Sequence, residues 1–337
     1  MYRQAGFVAI FVVTWIIVPA MSPAWGWNSP GHIIVGLIAY DQMDSDTKAK
    51  AVALIRAHPR FRDHFQSFMP REVSRGDGHM QDEWLFAYAG TWPDVVRSAN
   101  KAVNHQDVSE YSRPWWHFIN QPIYLNDEER RKLEPELRVN RMREPPEKTD
   151  DANMNVVQAG KNSTRVVRDT STPIASRSVH LCWLIHLVGD SHQPLHSSAL
   201  YTTHRFRDGD HGGNFLEFEH DWDLHAFWDS QISTDEPYDT IRVLATDLRN
   251  NQELAAAGNQ AARSLDVGTW IDEGHELAKQ HVYSKEVLQK AADRDGHSHL
   301  GELDRPTSYK ADAEMIAERR AVEAGYRLAR LFEQLLD

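Results

Sequence analysis

His186 and Asp190 stand four residues apart in a stretch whose neighbours, residues 181–188, are almost all apolar. On a helix that spacing puts an imidazole and a carboxylate on one face, where both can grip the same divalent cation. His196 follows after the Gln193-Pro194-Leu195 turn, and a second pair of the same spacing, His225 and Asp229, lies in Asp-Leu-His-Ala-Phe-Trp-Asp. A lone helical histidine is ordinarily hydrogen-bonded or solvated. Two such pairs read differently when one sits in a segment apolar enough to be buried, because a buried carboxylate without a partner is costly. Three further segments each set one ligand-type residue in aromatic surroundings: Trp27-Asn28-Ser29-Pro30-Gly31-His32, Trp92-Pro93-Asp94 and Trp115-Trp116-His117-Phe118-Ile119.

The elements that must position these residues are helical. Ile33, Ile34, Leu37, Ile38 and Tyr40 predict an amphipathic helix after Pro30-Gly31, and Ala49, Ala51, Leu54 and Ile55 a second. Pro173 opens a helix running to about Gly189 that is apolar nearly all round, through Val179, Cys182, Trp183, Ile185, Leu187 and Val188, so it should be central. Residues 311–336 repeat apolar positions at helical spacing. The one convincing strand signal is 214–219, after the turn residues 208–213, which predicts a short β-hairpin. With no internal repeat and no linker, the chain reads as all-α: a single mainly helical domain over 27–337. Residues 127–172, polar, charged and carrying Pro145-Pro146, read as a surface insertion.

Composition sets further limits. Of 337 residues, 37 are Lys or Arg and 49 Asp or Glu, a net charge of −12, which excludes a broad basic groove for duplex DNA. Any phosphate chemistry must draw its positive charge from elsewhere, and 18 histidines make a metal cluster the natural source. Cys182 is the only cysteine, so the chain forms no internal disulfide and no multi-thiolate zinc site. Residues 1–26 read as a signal peptide: Arg3, an apolar run over 7–18, Pro19, then the small-x-small cleavage site Ala24-Trp25-Gly26. Cleavage would leave Trp27 first and an exported protein, periplasmic or secreted, with no membrane segment.

Taken together, these residues resemble the S1/P1 nuclease family, which shares its trinuclear zinc site with bacterial zinc-dependent phospholipase C. The family pattern begins with a Trp followed five residues later by His, here Trp27 and His32. It continues through Trp-x-Asp at Asp94, His-Phe/Tyr-Ile at His117, the block His-Leu-Val-Gly-Asp-Ser-His-Gln-Pro-Leu-His over 186–196, Gly-Gly-Asn over 212–214, and a last His-x-x-x-Asp at His225 and Asp229. All are present in order, and Gly325-Tyr326-Arg327-Leu328-Ala329 looks like the family's last helix. Only about 125–175 lacks a counterpart.

The resemblance implies a cleft holding three zinc ions. One would be held by Asp94, His117, His186 and Asp190. A second would take His196, His225 and Asp229, and the third His32, Asp190 as a bridge, and the α-amino nitrogen and carbonyl oxygen of Trp27. The donors are neutral nitrogens and hard oxygens, which suits zinc. The implied reaction is metal-assisted, in-line hydrolysis of a phosphodiester in single-stranded DNA or RNA, leaving 5′-phosphates, with 3′-nucleotides as further substrates. No stable protein partner is implied. Asp94 and Asp190 would be catalytic through the metals, and Arg97 lies where the family carries a basic residue that holds the phosphoryl oxygens. Phe118 and Asn214 match positions that stack on and read a base, while Asn120 replaces the family's Asp and offers Arg97 an uncharged acceptor. His192 lies inside the matched block without being a ligand position. It and the other histidines, His58 and His64 among them, are expected to be solvated or hydrogen-bonded. Two other functions fit part of this pattern. A phospholipase C is opposed by the Trp27 to His32 spacing and by Asp at 229, and a non-catalytic exported zinc-binding protein would hold metal without hydrolysing anything.

Overall fold

The computed structural model describes residues 27–97, 105–148, 151–218, 222–235, 237–292 and 306–337. Its helices include, in chain order, α1 (Ser29–Gln42), α2 (Ser45–Arg56), α3 (Gly78–Ala89), α4 (Trp92–Arg97), α5 (Val156–Arg168), α6 (Ile174–Asp190), α7 (Leu224–Asp229), α8 (Gln252–Ala261), α9 (Val267–Leu277) and α10 (Pro306–Leu336). The architecture is mainly helical, as expected. The apolar segment 1–26, read as a signal peptide, lies outside the described residues. Among those described, no helix is long and apolar enough to cross a membrane.

Helix starts follow capping chemistry. The Asn28 side chain accepts from Gly31 N at 3.0 Å and begins α1, with Pro30 in the first turn where its missing N–H leaves nothing unsatisfied. Asp44 accepts from Thr47 N and begins α2 in the same way. The central helix is α6. Every residue from His180 to Asp190 is buried, which an all-round apolar sequence permits only if neighbours surround it. Those neighbours are α1, α2, α3, α4, α5 and α10. The last helix, α10, has 31 residues and packs along α1 and α8.

Two expectations change. The 127–172 segment is not a surface insertion throughout: its second half contains α5, which buries Val156, Val157, Ala159, Val166 and Val167 against α6. Asn155 and Gln158 start that helix with a reciprocal capping box. The regular sheet is also not a hairpin at 214–219. It is a parallel pair, β1 (Gln121–Tyr124) on β2 (Ser198–Tyr201), in register from Gln121 opposite Ser198 to Tyr124 opposite Tyr201. Within 214–218 the only ladder contact is one antiparallel bridge from Glu217 to Asp223, and Glu219 lies outside the described residues. The parallel pair matters because β1 follows His117 and β2 follows His196. Ile119 N donating to His196 O at 2.8 Å extends the tie to the histidines themselves.

Candidate metal centre and active site

The central helix delivers its two ligand-type residues at its buried C-terminal end. His186 and Asp190 lie one turn apart, with Nε2 and Oδ2 3.0 Å from each other. His32 comes from α1, Asp94 from α4, and His117 ends the 3₁₀ turn Pro114–His117. His196 lies in the 3₁₀ turn Pro194–Ser197, while His225 and Asp229 share one face of α7. All eight side chains are buried. They converge as three groups, each with its donor atoms within 4.8 Å of one another: His32, His186 and Asp190; Asp94, His117 and His186; His196, His225 and Asp229.

Backbone carbonyls set the orientation of the imidazoles. Nδ1 of His186 donates to Gly90 O at 2.7 Å, Nδ1 of His196 to His117 O at 2.6 Å, and Nδ1 of His225 to Gly212 O at 2.6 Å. A carbonyl can only accept, so each Nδ1 carries a proton and each ring turns its Nε2 inward, where it offers a lone pair whenever the ring is neutral. The Nε2 atoms of His196 and His225 face each other at 3.2 Å. Nε2 of His186 lies 2.8 Å from Nδ1 of His117. Two neutral imidazoles that meet Nε2 to Nε2, as His196 and His225 do, repel each other until a cation stands between them.

Unpaired buried atoms point the same way. His32 Nε2 and Asp190 Oδ1 are 3.3 Å apart, yet neither completes a hydrogen bond, and Asp94 Oδ1 also has no hydrogen-bond partner. Buried polar atoms are rarely left so without an ion or water to meet them. The residues present therefore fit a bound metal cluster. The second oxygen of Asp229 is already used: Gln193 Nε2 donates to its Oδ1 at 2.6 Å, leaving Oδ2 toward His225 at 3.4 Å.

Electrostatics sort the group further. Burial works against the charged form of Asp190, but His186 and His196 and the bonds from His117 and His186 hold its carboxyl well below the usual range. Burial also opposes protonation of His186, yet the Asp190 and Asp94 carboxylates outweigh it and push the ring up to about 9. Burial, then the Arg97 guanidinium, pushes His117 down to about 4. Burial raises Asp229 well above the carboxylate range, with Asp190, Asp223 and Asp94 adding to the rise. The centre thus holds more negative charge than its histidines neutralise, which is the condition a cation relieves.

Each of the remaining predicted residues has its own setting. Trp27 is fully buried, and Asn28 beside it donates N to Asp229 O at 3.2 Å and Nδ2 to Ser233 O at 2.6 Å, tying the start of the domain to α7. Arg97 ends α4, and its Nη1 is buried without a hydrogen-bond partner, so it donates no bond to Asn120 there. Asp94, Asp190 and Asp229 act on its charge, although burial is the larger influence. Phe118 is half-buried, its ring 5.8 Å from the exposed Trp115. Asn214 is half-buried and donates Nδ2 to His211 O at 2.6 Å, tying its own loop. That loop holds His211, Gly212 and Gly213 at positive φ. Gly212 could carry no side chain: a Cβ there would stand 2.8 Å from Leu195 O, and its carbonyl is the one that orients His225.

Sequence reasoning missed Gln193, whose position inside the matched block was the available signal. It also missed the three orienting carbonyls, for which no signal exists because every residue has one.

Comparison with known proteins agrees with this geometry. A family model described as S1/P1 Nuclease matches residues 27–337. Endonuclease 2 of Arabidopsis thaliana is 25% identical over 311 residues, covering 87% of this chain and 85% of its own length. Nuclease S1 of Aspergillus oryzae is 21% identical over 319 residues, covering 90% of each. Endonuclease 4 of Arabidopsis thaliana is 25% identical over 229 residues, covering 67% of this chain and 60% of its own. With a match over nearly the whole chain and a buried His/Asp centre built to receive cations, this chain belongs to the S1/P1 nuclease family of metal-dependent phosphodiesterases.

Proposed function

We propose that the protein is an exported, zinc-dependent endonuclease that cuts single-stranded DNA and RNA to 5′-phosphate products and also hydrolyses 3′-nucleotides. The observation that carries this reading is the convergence of three buried ligand groups inside a chain of net charge −12. Asp94, His117, His186 and Asp190 would hold one zinc ion, and His196, His225 and Asp229 a second. His32 and Asp190, with the main-chain amine and carbonyl of Trp27, would hold the third once residues 1–26 are removed. Zinc bound there supplies a Lewis acid and lowers the pKa of water.

The chain's own residues do the rest. Arg97 keeps its charge despite burial, and its unpartnered Nη1 is available to a phosphoryl oxygen as negative charge grows in the transition state. The Phe118 ring is a stacking face for a base that has left its helix. Asn214 has one amide hydrogen committed to His211 O, which leaves its other hydrogen and its carbonyl oxygen for a base edge. A base can reach such groups only when splayed out, and the acidic surface gives duplex DNA no cationic track.

The test is the zinc-loaded protein assayed on single-stranded DNA, RNA, blunt duplex DNA, a 3′-nucleotide and a phosphatidylcholine emulsion. Single strands and the 3′-nucleotide should be hydrolysed, with duplex cut far more slowly. Equal rates on duplex and single strands would overturn the strand preference. Turnover of the emulsion alone would move the assignment to a phospholipase C.

A further inference from the structure

Two arginines of the last helix close on the turn that carries the metal-facing residues. Arg320 and Arg327 stand seven residues apart on α10, two turns that bring both to one face, and they are 3% and 2% exposed. Nη1 of Arg327 lies 2.8 Å from His192 Nε2, and its two terminal nitrogens clasp the Glu273 carboxylate of α9 at 2.7 Å each. Arg320 reaches the main-chain oxygen of the same His192 with Nε at 3.3 Å. Its Nη1 pairs with Glu273 and Glu323 at 2.8 and 2.7 Å. Nδ1 of His192 donates to Val188 O at 2.7 Å, so its Nε2 carries the lone pair that receives the Arg327 hydrogen. The ring packs on Trp270 at 5.3 Å. Residue 192 is therefore held by both its imidazole and its main chain from a single helix face.

Its position gives that hold a consequence. His192 follows Asp190 by two residues and precedes Gln193, whose amide fixes Asp229, and His196 comes four residues later. Two buried guanidinium groups carry a large desolvation penalty, and apolar packing would fasten α10 as firmly. Directed hydrogen bonds add a fixed orientation, which packing does not supply. We propose that Arg327 and Arg320 are positioning residues for the metal centre: through His192 they fix the 190–196 turn and so set the reach of Asp190, of Gln193 with Asp229, and of His196. The inference rests on the metal-centre reading above.

The test uses the protein that starts at Trp27, as left by removal of residues 1–26, in three forms. His192→Phe keeps a ring against Trp270 and leaves Arg327 paired with Glu273, but removes the acceptor. His192→Gln restores an acceptor near the place of Nε2. Zinc affinity is read by competition with a chromophoric chelator, the stability of the metal-free protein by its Tm, and turnover on a single-stranded oligonucleotide as kcat and KM. In His192→Phe, zinc affinity at one or more sites should fall by about 10- to 100-fold, the size usual for groups that orient ligands. kcat should fall with KM little changed, the metal-free Tm should stay near that of the parent, and His192→Gln should recover most of the loss. Parental zinc affinity and kcat in His192→Phe, or a fall in Tm alone, would overturn the proposal. Should His192→Phe fail to fold, Arg327→Lys, which keeps a charge for Glu273 but not the fork, is judged by the same affinity readout. A parent protein that binds no zinc would overturn the metal reading and this inference together, whereas a parent that binds zinc beside an unchanged variant defeats the inference alone.

Discussion

Asp190 touches more of the centre than any other side chain. Oδ1 faces His32, while Oδ2 lies 3.0 Å from His186 Nε2 and 3.1 Å from His117 Nδ1. Asp190→Asn keeps the shape, removes the charge, and turns a hydrogen-bond donor toward one set of ligands. The expected outcome is loss of metal from both groups that the two oxygens face, read by elemental analysis. Activity should fall by more than the roughly 10- to 100-fold typical of groups behind the ligands. Full metal content with parental activity would show that the two oxygens do not serve two ions. The ligand-type residues at this scale were legible in the sequence because His and Asp four apart in an apolar helix need compensation wherever the helix is buried. Gln193 was not legible, since its partner Asp229 lies 36 residues away and only the fold brings them together.

At the level of elements, continuous patterns were legible and averaged ones were not. The apolar run that became α6 and the spaced apolar residues of α1 and α10 announce themselves locally. The stripe of α5 is hidden by Lys161 and Arg165 between its valines and Arg168 after them, so a polar average masked a buried face. The parallel pair was hidden for another reason: its strands are four residues each, separated by 73 intervening residues, and parallel pairing has no turn signature. The short helix α4, which carries Asp94 and Arg97, stands on an aromatic support behind the site. Trp92 Nε1 donates to His64 Nδ1 at 3.1 Å, and the buried His58 ring lies 4.5 Å from Trp92. Burial pushes His58 down to about 3, with His64 and Arg60 adding to the fall. Unfolded, His58 takes up a proton near pH 6.5, but folded it resists until about 3. The unfolded chain thus binds more protons across that window, and stability must fall as pH drops through it, by on the order of a few kcal/mol. His58→Phe keeps the ring and removes the titration. Its Tm should decline less steeply than the parent's between pH 6.5 and 3, both measured in chelator, and parallel declines would show that His58 does not contribute.

For the molecule as a whole, two large hydrophobic clusters among the described residues border a centre that neither can satisfy. The ligand-type residues arrive from five separate stretches of chain, at 32, 94, 117, 186–196 and 225–229, and three buried carboxylates meet there. In the folded protein without cations, inward lone pairs oppose each other and Asp229 is driven toward its neutral form. The unfolded chain has none of these costs and no preformed site. Cations that bind only the folded form must then stabilise it, by about 2.7 kcal/mol for each site filled at a hundredfold excess over its Kd. Three such sites would raise the Tm by more than about 10 °C in a chain of this size. The predicted experiment is thermal unfolding of chelator-stripped protein, then of the same protein with zinc and with magnesium. Zinc should restore the upper Tm and magnesium should not, because imidazole nitrogens supply most of the donors and magnesium prefers oxygen. A stripped protein that melts where the zinc-loaded protein melts would mean that the centre satisfies itself without metal, contrary to its opposed lone pairs and unpaired carboxylate oxygens.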